Sequence, residues 1–199
     1  MKSTKQNITK KGEARRRLIL HTVLEMISTG GVDSITHRRV AERAGVPLGS
    51  TTYYFESRQH LIRDAFDLYL QETREAMKSY AKQFDVPFSS SQKLVDAWVD
   101  WTIHAIEDRA TLLVEYEMVL YAARDPQVAS SLHSGDEFEI KRLAKVFERV
   151  GARQPLQLAE VLLNMVRGYE LDSLSRPESD IEGLKRRLNF VVSGLRGTW

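Results

Sequence analysis

Apolar residues recur three and four positions apart along almost the whole 199-residue chain, with no convincing run of strand-like alternation between them. That spacing buries one face of a helix, whereas a strand needs a period of two. The expected fold is therefore all-α, with about nine helices. Leu20, Val23, Leu24 and Ile27 mark a first helix over Glu13–Thr29, stopped by Gly30-Gly31. Thr36 stands as N-cap of a second, with Ile35 and Val40 as the two ends of a hydrophobic staple. The second helix ends near Arg43-Ala44, because Gly45 can take a left-handed backbone and Pro47 follows it.

A third short helix is expected over Leu48–Tyr54. Ser57 caps a fourth that reaches about Lys82, with Leu61, Ile62, Ala65, Phe66 and Tyr69 on its inner face. Asp85–Ser91 combines Pro87 with a serine run and reads as a loop. A fifth helix covers Leu94–Ala105 and a sixth Leu112–Ala123. Ile140, Leu143, Ala144 and Phe147 mark a seventh ending near Gly151, Leu158–Leu174 an eighth, and Ile181, Leu184, Leu188, Val191 and Leu195 a ninth.

Cysteine is absent, which removes disulfides, thiolate metal sites and thiol nucleophiles and suits a reducing cytoplasm. No uncharged apolar run approaches the ~20 residues of a membrane span, and the basic N-terminus is not followed by a signal-peptide core. The chain is thus expected to be cytoplasmic and without membrane contact. Charge is distributed unevenly. Residues 1–63 hold 12 Lys/Arg against 5 Asp/Glu, and residues 64–199 hold 17 against 22. A basic segment of this kind meets a polyanion, nucleic acid first, although a solvated tail has the same composition. Residues 1–12, basic and without apolar periodicity, read as a disordered arm.

Two short helices joined by a Gly-containing turn and braced by a third place one helix in the DNA major groove. The groove-entering helix offers Gly49, Ser50, Thr51, Thr52, Tyr53 and Tyr54: a close backbone approach and hydroxyls for base edges or phosphates. Thr36, at a helix start with free N–H groups, and Arg58, in the first turn of the fourth helix, are placed as phosphate clamps. Tyr53 fits packing and phosphate contact equally, whereas Phe55 fits packing better. Arg38, Arg39 and Arg43 fit a solvated face better than base readout.

Residues 14–61 resemble the DNA-binding domain of the TetR family of transcriptional regulators. The resemblance rests on Ile35-Thr36, Val40-Ala41, Ala44-Gly45-Val46, Gly49, Tyr53, Phe55, Ser57, Arg58 and Leu61 at the family's spacing. It implies phosphate contacts from Thr36, Tyr53 and Arg58, and operator-dependent contacts from Ser50, Thr51 and Thr52. Two positions depart from the pattern: Thr52 stands where Tyr is frequent, and Glu56 sets an acid beside the phosphates.

The implied organisation is a helix-turn-helix domain at 13–60 and an effector-binding and dimerisation domain at 61–199. The resemblance also implies a homodimer through about 156–174 and 181–195, double-stranded operator DNA as partner, and an unknown small-molecule effector. Core packing explains the apolar stripe of the ninth helix as well as dimerisation does. Trp98, Trp101, His104, Tyr116, Phe138, Asn164 and Arg167 are the effector-binding candidates, being aromatic or polar groups on the helices expected to enclose a cavity. Each alone also reads as core or surface.

No cofactor, metal site or catalytic constellation is expected. G-x-S-x-G, Walker and H-E-x-x-H motifs are missing, and His21, His37, His60, His104 and His133 lack ligand spacing. The expected function is a repressor released from operator DNA by its effector. The alternative is an architectural or partner-binding helical protein without an effector.

Overall fold

The structure, a computed structural model, describes residues 10–83, 91–149, 151–176 and 180–194. All regular structure among them is helical: α1 (Lys10–Gly30), a 3-10 turn (Val32–Ser34), α2 (His37–Arg43), α3 (Leu48–Tyr54), α4 (Arg58–Gln83), α5 (Ser91–Glu107), α6 (Arg109–Ala122), α7 (Pro126–Arg149), α8 (Pro155–Ser173) and α9 (Ile181–Gly194). Lys10–Gly12, expected in the arm, belong to α1; the rest of the arm and most of the expected 85–91 loop lie outside the described residues.

The caps explain several boundaries. Thr36 has extended backbone, and its hydroxyl oxygen accepts the Arg39 N–H at 3.2 Å, satisfying an orphan donor of α2. At the other end Gly45 has φ +63°, Val46 N donates to Ala41 O at 3.0 Å and Gly45 N to Glu42 O at 3.2 Å. Those two bonds form a Schellman motif, which requires the left-handed residue that glycine supplies without a Cβ clash. Helix α7 begins at Pro126, well before the expected Ile140 region. Asp125 explains the early start, since its Oδ1 accepts from the amides of Gln127 (3.1 Å) and Val128 (3.2 Å), and Pro126 needs no partner at the first helical position.

Two apolar cores organise the molecule. The first gathers Ile19, Leu20, Val23 and Ile27 of α1, Ile35, Val40 and Phe55 around the short helices, and Leu61, Ile62 and Phe66 of α4. It continues into Val114 and Met118 of α6 and Val128 and Leu132 of α7. One core thus spans the expected boundary at residue 60, and α4 runs across that boundary unbroken. The second core joins Val99 of α5, Leu143 and Phe147 of α7, Leu158, Leu162 and Val166 of α8, and Leu184 and Leu188 of α9. The stripe of α9 is therefore core within the protomer, packed chiefly on α5; Leu195 lies outside the described residues.

Candidate DNA-binding surface and effector cavity

Helix α3 sorts its side chains by the 3.6-residue period. Leu48, Gly49, Thr52 and Tyr53 fall on one exposed side, with Tyr53 62% exposed. No heavy atom lies within 4 Å of a Cβ built on Gly49, so the backbone there is open to close approach. Ser50 is half-buried. Thr51, expected as a base reader, is fully buried, and its hydroxyl donates to Leu48 O at 2.9 Å, so it cannot reach a base edge. Tyr54 is half-buried, packs on the first core and meets the Tyr53 ring edge-on at 5.1 Å.

Thr36 is exposed at the start of α2 and keeps its hydroxyl proton for an outside acceptor. Arg58 is occupied differently from the expected clamp. Its Nε donates to Ile35 O and its Nη2 to Val32 O, both at 2.8 Å, and Asp33 lies 3.6 Å away. Two donors thus hold the turn that presents Thr36. Arg43 pairs with Glu25 of α1 at 2.5 Å, whereas Arg38 and Arg39 are exposed.

Behind this module a cavity of about 530 Å³ opens between α4, α5, α6, α7 and α8. That volume suits a drug-sized molecule. Trp101, His104 and Arg167 line it, as expected. Tyr116, Phe138 and Asn164 do not. The Tyr116 hydroxyl donates to Arg167 O at 2.5 Å, Phe138 is exposed with Lys78 Nζ 5.9 Å from its ring, and Asn164 is exposed. The Trp98 side chain lies outside the described residues.

Residues that the sequence did not single out dominate the polar lining. Glu115 of α6 accepts the Tyr69 hydroxyl at 3.1 Å, Glu139 of α7 holds Arg142, and Asp136 chelates Arg167. Glu170 of α8 is 6% exposed. Burial, reinforced by the charge of Glu115 and opposed by Arg167, pushes its carboxyl up to about 8. Burial likewise raises Glu115.

One helix links cavity and DNA-binding module. Leu112, Glu115 and Met118 of α6 line the cavity, while Glu117 Oε2, on the same helix, accepts the Val32 N–H at 3.1 Å. At Gly31, φ is +67° and a Cβ would fall 3.1 Å from Glu117 Oε1, so a side chain there meets both strain and crowding. The Val32 residue held by Glu117 is the one whose carbonyl receives Arg58.

A helix-turn-helix with an open recognition face, fused through a shared core to a helical domain with a cavity, defines a ligand-responsive class of DNA-binding protein. Comparison with known proteins gives the family. A family model described as "Tetracyclin repressor-like, C-terminal domain" matches residues 89–194. The chain is 26% identical over 188 residues to an HTH-type transcriptional regulator of Xanthobacter autotrophicus, covering 92% of this chain and 90% of that protein. It is 43% identical over 51 residues to the HTH-type transcriptional repressor KstR of Rhodococcus jostii; that match spans 26% of this chain and about a quarter (24%) of the repressor. Among solved structures, multidrug binding protein EbrR complexed with ethidium superposes with a TM-score of 0.69 at 25% identity, over 89% of this chain and 98% of that one.

The chain belongs to the TetR family of transcriptional regulators, and it is a DNA-binding regulator. Among the described residues, no helix is long and apolar enough to cross a membrane.

Proposed function

We propose that the protein is a cytoplasmic repressor that binds an inverted-repeat operator as a homodimer and leaves it when a small molecule occupies the cavity. It binds its effector without transforming it. The observation that carries this reading is α6, which walls the cavity with Glu115 and holds the turn before α2 through Glu117. A ligand that favours one position of α6 changes how Thr36 and α3 are presented, and two recognition helices must match half-sites a helical turn apart. Repression is also what KstR is named for, and EbrR is named for binding drugs.

In this reading residues 13–60 form the DNA-binding unit and 61–199 the effector and dimerisation unit, joined by the first core. Gly49, Ser50, Thr52 and Tyr53 meet DNA with Thr36; Arg58 positions the turn. Tyr54 supports the recognition helix from its inner side. The dimer forms through α8 and α9, whose exposed apolar side chains include Val161 (51%), Leu171 (52%) and Phe190 (79%).

Selection from a random duplex pool tests the reading. The enriched sequence should be an inverted repeat bound at least about 10³-fold more tightly than random DNA. If all duplexes bind within tenfold of one another, the architectural alternative holds. A compound that quenches Trp101 fluorescence should lower operator affinity by the same factor by which operator lowers its own, about 5–150-fold.

A further inference from the structure

We propose that the cavity is built for an amphipathic organic cation, its positive charge set against Glu115 and Glu170 and its apolar body along Met77, Trp101, Leu112 and Leu143. This inference rests on the reading of the cavity as an effector site and names the chemistry of the effector.

The lining carries carboxylates that the protein itself leaves short of partners. Glu139 is 8% exposed and faces the cavity, yet its Oε1 makes no hydrogen bond among the described residues, because Arg142 bonds only to Oε2. Glu170 is as deeply buried, and no described side chain pairs with it. Among the described residues Glu115 accepts a hydrogen bond only from the neutral Tyr69 hydroxyl, although the charge of Arg167 also acts on it. The nearby cation, Arg167, is committed to Asp136 through two bonds, at 3.0 Å and 2.5 Å. A buried carboxylate without a cation is costly, and a ligand that brings a positive charge removes that cost on binding. The aromatic face of Trp101 and the thioether of Met77 give such a ligand a soft apolar bed.

Several cations also line the cavity. Arg142 and Arg167 are paired as described. Lys145 and Arg149 of α7 add two more positive charges, and Arg74 has a buried Nε that makes no hydrogen bond among the described residues. It favours an anion at its end of the cavity, so an anionic probe belongs in the test.

The charged groups acting on Glu170 are Glu115 of α6 and Arg167 of its own helix, and Glu170 in turn acts on Tyr69 of α4 and Tyr116 of α6. Asp136, Glu139, Arg142, Lys145 and Arg149 of α7, Arg74 of α4, His104 of α5 and Asp108 after it line the same space. Since burial holds the Glu170 carboxyl up to about 8, it keeps its proton at neutral pH in the empty cavity. A permanent cation binds the ionised form and displaces that proton. Its affinity should therefore rise with pH and level off above about 8.

The test uses the full-length protein and three probes: trimethyl(2-naphthylmethyl)ammonium, its neutral carbon isostere 2-neopentylnaphthalene, and 2-naphthylacetate. Binding is followed by quenching of tryptophan fluorescence at pH 6.5 and 8.5. The cation should bind about tenfold or more tightly than the neutral isostere at pH 8.5, with a smaller margin at pH 6.5. Glu170→Gln and Glu115→Gln should each shrink that margin and flatten its pH dependence while leaving affinity for the neutral probe within about twofold, which also shows that the cavity is still folded. Equal binding of cation and isostere, preference for the anion, or no binding by the cation overturns the inference. Each leaves the regulator reading standing, which fails separately if a compound fills the cavity without changing operator affinity.

Discussion

At the scale of single residues, the least predictable positions are the acids inside the cavity. Glu115, Glu139 and Glu170 occupy helical positions otherwise given to core residues: Glu115 lies three residues from Leu112 and Met118, Glu139 four from Gly135 and Leu143, Glu170 four from Val166. A carboxylate in register with an apolar stripe was the available signal, whereas the expected candidates were aromatic or polar groups without an acid among them. Glu170 also gives a pH prediction. Its ordinary value is 4.5 and its folded value about 8, so the folded protein keeps a proton that the unfolded chain has released. Stability attributable to this group is fully present below about 4.5, falls as pH rises towards 8 and is flat above it. Glu170→Gln should therefore gain melting temperature relative to the native chain as pH goes from 5.5 to 8, by circular dichroism. Equal slopes in the two proteins would show that Glu170 does not keep its proton in the fold.

At the scale of elements, α3 shows how a helix assigns function by rotation. Thr51 and Thr52 are chemically identical neighbours, yet 100° of turn buries one against Leu48 O and exposes the other. Thr51→Val should leave operator preference unchanged and cost about 1 kcal/mol of stability from its lost hydrogen bond, measured by denaturant unfolding. Thr52→Ala should alter base preference in a duplex-pool selection and leave stability within about 0.5 kcal/mol. The reverse pattern would mean that α3 is rotated. In α6, Glu117→Gln should keep both operator and cavity binding but reduce the factor by which each weakens the other, because a neutral amide holds the Val32 N–H less firmly. Unchanged coupling in both titrations would move the link to the shared core.

At the scale of the whole molecule, the two cores separate what folds the protomer from what remains for a partner. Leu188 is 1% exposed, so Leu188→Glu should unfold the protomer by burying an unpaired charge. Leu171→Glu with Phe190→Glu should instead yield folded monomers with weakened operator binding, seen by sedimentation velocity and circular dichroism. A double variant that stays dimeric would place the interface elsewhere. Residue spacing was sufficient for the all-helical class, the Thr36 cap, the Gly45 turn and the limits of α3, because caps and periodicity act within a few residues and are written locally. It did not reveal that Arg58 spends its donors on Val32 and Ile35, that the α9 stripe closes on α5, or that Glu115, Glu139 and Glu170 face one cavity. Those facts depend on which helix faces meet across long stretches of intervening chain, more than 70 residues for α5 and α9, and an amphipathic stripe specifies that it must be buried without specifying against what. The sequence thus determined the helices and the DNA-reading module. Tertiary packing alone decided which side chains of α3 stay exposed, which residues hold the turn, and which carboxylates face the cavity.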